Sequence, residues 1–88
     1  QSSVLLFEGS RDTILLYSGP NSKSKRESMT IKGSFDEGKT WSLKKEIYSG
    51  TSAYSDLVQV NKNEIGLLYE RDNNGIYFIR IPTLKLYK

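Results

Sequence analysis

Ser34-Phe35-Asp36-Glu37-Gly38-Lys39-Thr40-Trp41 is the stretch on which the reading of this chain turns. It has the form S-x-D-x-G-x-T-W, and each fixed position has a mechanical task. Asp36 can accept hydrogen bonds from the backbone N–H groups of a turn, a role aspartate fills well. Gly38 supplies a positive φ at no steric cost. Thr40 resumes the extended chain. Trp41 is expected to bury a large ring and anchor the turn to the sheet below. Together they predict a self-contained β-hairpin clasp.

Outward from this clasp the pattern is β almost everywhere. Ser3–Phe7 (SVLLF) is short and apolar and ends at Glu8-Gly9-Ser10, and Thr13–Tyr17 (TILLY) ends at Ser18-Gly19-Pro20-Asn21, which carries strong turn chemistry. Asn21–Glu27 is polar and reads as a loop. Ser28–Ser34 sets Met29 and Ile31 against Thr30 and Lys32 with a period of two. Trp41–Tyr48 alternates less cleanly, Gly50–Ser52 reads as a break, and Leu57–Val60 as another strand. Glu64–Tyr69 and Ile76–Ile81 flank the hairpin turn Asp72-Asn73-Asn74-Gly75. Leu84–Tyr87, after Pro82, reads as a last short strand. No stretch shows a helical period with a cap. About eight short strands joined by tight turns predict an all-β fold, with two four-stranded units as the simplest arithmetic.

The bulk numbers are consistent with one small unit. A chain of 88 residues buries only about 60–65% of the surface its unfolded form exposes. Charged residues make up 26% and hydrophobic residues 36%, which favours neither disorder nor a membrane span; the apolar runs fall far short of the roughly 20 residues a spanning helix needs. The absence of cysteine and histidine excludes disulfides, Cys/His metal sites and Ser-His or Cys-His nucleophile pairs within the chain. No cofactor is expected. The net charge of +3 includes a local cluster, Lys23, Lys25 and Arg26. Acidic residues are interspersed throughout, so this reads as a solvated loop rather than a nucleic-acid stripe. The chain opens at Gln1 with neither Met nor a basic-then-apolar leader, so it is expected to be a processed or excised segment.

The clasp is similar to the Asp-box, the repeated hairpin of sialidases (neuraminidases) and of several other propellers. Alone it is specific for the hairpin and not for an activity. What surrounds it resembles the C-terminal part of a sialidase: Gly19-Pro20, then Arg26, then the box, then Gly50-Thr51-Ser52-Ala53-Tyr54-Ser55-Asp56-Leu57, then Gly66-Leu67-Leu68-Tyr69-Glu70, then Ile76-Tyr77-Phe78. The resemblance spans nearly all of the chain. It implies that residues 1–88 are C-terminal blades, about two, of a six-bladed β-propeller, and that the chain is part of an exo-sialidase releasing terminal sialic acids from glycoconjugates.

The resemblance also implies roles. Tyr54 matches the tyrosine nucleophile. Sialic acid carries a carboxylate on its anomeric carbon, and a neutral phenol avoids the repulsion that an Asp or Glu nucleophile would meet; sialidases are an exception to the two-carboxylate scheme of glycosidases. A phenol is a weak nucleophile until a base takes its proton, and the family's base, a glutamate of an earlier blade, has no match here. Arg26 matches one of three arginines that grip the substrate carboxylate, for which a planar guanidinium is suited. Glu70 is counted with Tyr54 in the catalytic group, as the carboxylate that orients an arginine. Gln1 matches a glutamine touching the sialic acid side chain. The family's acid and its other two arginines have no match, since Asp12, Asp36, Asp56 and Asp72 read as turn or box residues. The segment alone is therefore expected to be inactive. Its expected partners are a sialic acid-containing glycan and the remainder of the propeller or other copies of itself. The competing expectation is a non-catalytic Asp-box propeller module that binds glycan or protein.

Overall fold

The computed structural model describes residues 2–21, 27–71 and 75–87, apart from the side chains of Glu27, Thr51, Ala53 and Arg71. Gln1, the Lys23-Lys25-Arg26 cluster and Asp72–Asn74 lie outside these residues.

Among the described residues six strands run in sequence, β1 (Ser3–Glu8), β2 (Thr13–Pro20), β3 (Glu27–Ser34), β4 (Leu43–Asn61), β5 (Glu64–Arg71) and β6 (Ile76–Pro82), and a short 3₁₀ helix (Thr83–Tyr87) follows. Every neighbouring pair is antiparallel. The order is sequential, yet the ladders form two sheets, because β4 changes partner along its length. Its first part, Leu43–Thr51, pairs with β3; its second part, Ser52–Asn61, pairs with β5. One sheet is thus β1-β2-β3-β4 and the other β4-β5-β6. Irregularities at Glu27/Met29 and Met29/Thr30, and again between Ser52 and Ser55, bend β4 across, as extra residues in one strand of a pair do.

The sheets share one core. Phe7, Ile14, Leu16, Met29 and Ile31 from the first meet Leu57, Ile65, Leu67, Tyr69 and Ile81 from the second, and Leu86 of the 3₁₀ helix closes one end. The alternation of each strand decides which face goes inward. In β2, Ile14, Leu16 and Ser18 are buried; across the ladders, Leu57, Leu67 and Ile79 line up on the inner face. The opposite faces remain apolar and open: Val4, Leu6 and Trp41 on the first sheet, and Val58, Val60, Ile76 and Phe78 on the second.

Several expectations need correction. Gly50–Ser52 is not a break, because β4 runs through it. A Cβ on Gly50 would stand 2.9 Å from the Tyr48 ring, so this glycine serves close packing within a strand. Among the described residues the strands are therefore six and not eight, and the sheets have four and three strands rather than four each. Leu84–Tyr87 is part of the 3₁₀ helix instead of a strand; after Pro82 the Thr83 N–H bonds to the Asn63 carbonyl at 2.9 Å, which turns the chain off the sheet edge. Asp56 lies inside β4 and not in a turn.

The clasp forms as expected in its polar part. The Ser34 hydroxyl accepts from the Gly38 N–H at 2.8 Å and donates to Asp36 Oδ1 at 2.7 Å. Asp36 Oδ1 also accepts from the Thr40 N–H at 2.8 Å, and Oδ2 from the Thr40 hydroxyl at 2.6 Å. Gly38 has φ 92 and Glu37 φ 62, so two consecutive residues take the left-handed conformation that the Asp36 bonds close upon. The Thr40 hydroxyl foremost, then the Thr40 N–H and the Ser34 hydroxyl, bring the Asp36 carboxyl down from 3.8 to about 2. Trp41 departs from the expected burial: it is 41% exposed and meets Tyr17 edge-on at 6.3 Å between ring centroids. Phe35 stacks on Tyr87 at 6.1 Å, tying the clasp to the 3₁₀ helix.

Two measurements test this packing. Leu67 is fully buried, so Leu67→Ala is expected to cost about 2–5 kcal/mol, the range for a large-to-small core change; a urea midpoint close to wild type would contradict the shared core. For Asp36 the folded carboxyl lies below its ordinary value, so its contribution is complete above about 3.8 and is lost as pH falls through about 2. Asp36→Asn keeps one accepting oxygen and loses the charge. Its melting temperature should be lower at neutral pH and should decline less steeply in acid than that of wild type, and parallel acid profiles for the two proteins would rule out this linkage.

Candidate active site

Tyr54 lies where β4 is irregular. Ser52 pairs with Arg71 and Ser55 with Tyr69, so Ala53 and Tyr54 together oppose Glu70. This is a β-bulge, two residues against one, and bulges re-aim side chains. The burial record shows the effect: Ser52 and Ser55 are both buried although three apart, while Tyr54 turns outward. The Tyr54 ring is 44% exposed, whereas Tyr69, one rung along on the neighbouring strand, is 3% exposed. Among the described residues the rings of Tyr17, Tyr48, Tyr69, Tyr77 and Tyr87 enter aromatic contacts. Tyr48, Tyr69 and Tyr77 form a row with centroids 6.4 and 6.1 Å apart, which braces the ladder beside the bulge.

Glu70 sits at the same level of the sheet as Tyr54, half-buried, and opposite Ile76 on its other side. The structure therefore brings Tyr54 and Glu70 to one place. Arg26 and Gln1 lie outside the described residues. The strand that follows Arg26 begins at Glu27, which pairs with Thr51, three residues before Tyr54. Ser28, just beyond, has φ 64, an uncommon conformation for a residue with a side chain; its carbonyl accepts from Asn21 N–H at 3.0 Å and from the Thr30 hydroxyl at 2.7 Å.

The chain after Tyr54 is tied to the first sheet by side chains. The Ser18 hydroxyl donates to the Ser55 hydroxyl at 2.9 Å, and the Ser55 hydroxyl lies 3.3 Å from the Ser18 carbonyl. The Ser3 hydroxyl accepts from the Leu57 N–H at 3.1 Å and donates to Asp56 Oδ1 at 3.2 Å. Farther along, the Gln59 amide donates to the Glu8 carbonyl at 2.9 Å and accepts from the Glu8 N–H at 3.1 Å. Reading the sequence missed these serines and this glutamine. Their only signal was polar residues at inward positions of apolar strands, as in Tyr17-Ser18 and Tyr54-Ser55.

The Asp-box is at the other end of the sheets, with the β1–β2 turn and the β4–β5 turn. A cavity of about 210 Å³ there is lined by Phe7, Arg11, Asp12, Lys62, Leu84 and Tyr87, among others. The register places it a full strand length from Tyr54, so it is separate from the candidate site. Its Tyr87 hydroxyl donates to Asp12 at 2.9 Å; burial foremost, and then this bond, raise the Tyr87 phenol above its ordinary value. Among the described residues no group of three or more His, Cys, Asp or Glu side chains is placed to hold a metal ion, and no helix is long and apolar enough to cross a membrane.

Comparison with known proteins gives a consistent set. The chain is 31% identical over 90 residues to a sialidase of Vibrio cholerae serotype O1, an alignment that takes in 97% of this chain and 12% of that protein. It is 38% identical over 60 residues to a sialidase of Micromonospora viridifaciens, covering 68% of this chain and 9% of that protein. Among solved structures, Hadza microbial sialidase Hz136 superposes with a TM-score of 0.91 at 27% identity, over 98% of this chain and 18% of that one. The chain thus spans about an eighth of the length of the Vibrio relative. No family profile matches it.

The exposure of Tyr54 can be checked directly. Under limiting tetranitromethane, Tyr54 is expected to be nitrated well before Tyr69, as read by peptide mass spectrometry. Equal rates, or Tyr69 first, would mean that the bulge does not turn Tyr54 outward.

Proposed function

Starting from the fact that the chain is a sialidase-like segment of β-propeller, we propose that it supplies the nucleophile side of an exo-sialidase active site. The observation that carries this reading is the bulge in β4, which turns Tyr54 out of the core and sets it against Glu70.

The chemistry follows from the substrate. The Tyr54 oxygen attacks the anomeric carbon of a terminal sialic acid as the glycosidic C–O bond breaks. The aglycone leaves with a proton from an acid, and the phenol proton passes to a base, both supplied from outside these residues. Water then cleaves the sialosyl-tyrosine bond, so configuration is retained after two inversions. A neutral phenol can approach a carbon that bears a carboxylate, where a carboxylate nucleophile would be repelled. Arg26 grips that carboxylate, for which a guanidinium has a matching planar fork. Glu70, half-buried at a strand end, orients an arginine; a carboxylate there is costly without a partner. Gln1 touches the sialic acid side chain.

In this reading residues 1–88 form two neighbouring blades of a six-bladed ring. The open apolar faces support it. Each sheet keeps one face on the shared core and exposes the other, Val4 and Leu6 on one, Val58, Ile76 and Phe78 on the other. Contiguous exposed apolar surface of this kind marks an interface, and a slice of a ring has two, one at each end. The remaining blades bring the acid, the base and two more arginines. Without them the chain has no turnover, because each such group is worth several kcal/mol in the transition state, roughly 10²–10³ in rate.

Tyr54→Phe in the intact propeller is the direct test. The expected result is a fall in kcat of about 10³-fold or more on an aryl sialoside, with the melting temperature kept, since the lost group is the nucleophile itself. Unchanged turnover would remove the assignment. Glycan binding that persists in a wild-type propeller without any turnover would move it to a non-catalytic binding module.

A further inference from the structure

A bulge aims a side chain but does not hold it. Opposite Glu70, Ala53 and Tyr54 share a single rung, so the regular ladder is interrupted at the residue whose direction matters. Regular pairing resumes at Ser55. Each of the three residues from there is held from the other sheet by a serine hydroxyl: Ser55 by Ser18 at 2.9 Å, Asp56 by Ser3 at 3.2 Å, and the Leu57 N–H by Ser3 at 3.1 Å. Ser3 and Ser18 are themselves directly opposite one another in the β1–β2 ladder. They stand as a pair on one rung and grip the chain where it leaves the bulge.

We propose that Ser3 and Ser18 form a two-hydroxyl clamp that positions Tyr54 for attack. The inference rests on the reading of Tyr54 as nucleophile. Packing does not explain these residues. Ser18 and Ser55 are wholly or almost wholly buried, and alanine would fill nearly the same space without a hydroxyl that needs a partner. What the hydroxyls add is direction, because a hydrogen bond weakens steeply off its axis. The Leu57 N–H lies on the edge of β4 facing away from β5 and would otherwise have no strand to bond to. The Ser3 oxygen takes that bond and fixes the height of β4 against β1. Reacting atoms must meet within a few tenths of an ångström, and a misplacement of about 1 Å can cost about 10²-fold in rate. Ser3 and Ser18 are positioning residues: they act through Ser55, Asp56 and Leu57 and do not touch the substrate in this scheme.

The same seam supplies its own control. Gln59 bonds both the N–H and the carbonyl of Glu8 at 3.1 and 2.9 Å, tying β4 to β1 at the end remote from Tyr54. In the intact propeller, Ser3→Ala and Ser18→Ala are expected to lower kcat by about 10–100-fold while KM for an aryl sialoside moves by less than about threefold. Gln59→Ala should lower the melting temperature at least as much and leave kcat within about twofold of wild type. Ser3→Thr, which keeps the hydroxyl, should restore kcat. Serine variants that keep wild-type kcat, or lose no more of it than Gln59→Ala, would overturn the clamp. Tyr54→Phe belongs in the same series. If it abolishes turnover while the serine variants are fully active, the clamp alone is wrong; if it leaves turnover intact, the nucleophile reading and the clamp fall together.

Discussion

The two sheets are joined along β1 and the second part of β4 by side chains, not by a backbone ladder, and the rest of the arrangement depends on that seam. β4 pairs with β5 on one edge only beyond Thr51. Its other edge lies against β1, and Ser3 at one end and Gln59 at the other provide the donors and acceptors a neighbouring strand would have provided. A backbone ladder would have fused the sheets into one surface. Side-chain ties let them turn to face each other, so that both bury an apolar face in a single core. The constraint is that edge groups must be satisfied without the sheets becoming coplanar.

From this constraint follows the path of β4. One strand ends the first sheet and begins the second, and it must bend sharply between them. Bulges provide the bend, and one of them falls at Ala53-Tyr54. The exposure of Tyr54 is thus not a separate feature added to the fold. The residue that the handover leaves without a rung of its own is the one turned out of the core, at the end of the sheets where β3 begins and β5 ends. At the far end the Asp-box, the stacked Phe35 and Tyr87 rings and the Ser10–Asn63 bond of 2.9 Å hold the turns together. The clasp and the outward-turned Tyr54 are thereby kept at opposite ends of short strands.

Much of the fold was legible in the residues. Period-two alternation marks β3, short apolar runs mark β1 and β2, Asn and Gly turns separate strands, and the box announces its own hydrogen bonds down to the roles of Asp36, Gly38 and Thr40. These are local features, and a few neighbouring residues suffice to produce them. The errors came where a neighbour distant in sequence decides. Gly50 signals a break in isolation, yet β4 runs on through it because its second part finds β5 as a partner. Trp41 looks like a buried anchor, yet its partner Tyr17 sits on an open face of the sheet, so the ring stays half out. Leu84–Tyr87 has the composition of a strand, but Pro82 and the Thr83–Asn63 bond carry it away from any edge.

The amino-acid sequence by itself determined most of the strands and the clasp, because those depend on side-chain type and on spacing of a few positions, and its resemblance to sialidases singled out Tyr54 and Glu70. It could not fix that Tyr54 and Glu70 share a rung, since that register is set by one extra residue whose accommodation depends on how β4 bends between two sheets. Nor could it assign Ser3, Ser18 and Gln59. A serine in a strand is neutral by propensity, and its hydroxyl acquires a task only when tertiary packing brings it within about 3 Å of a chain some forty to fifty residues away.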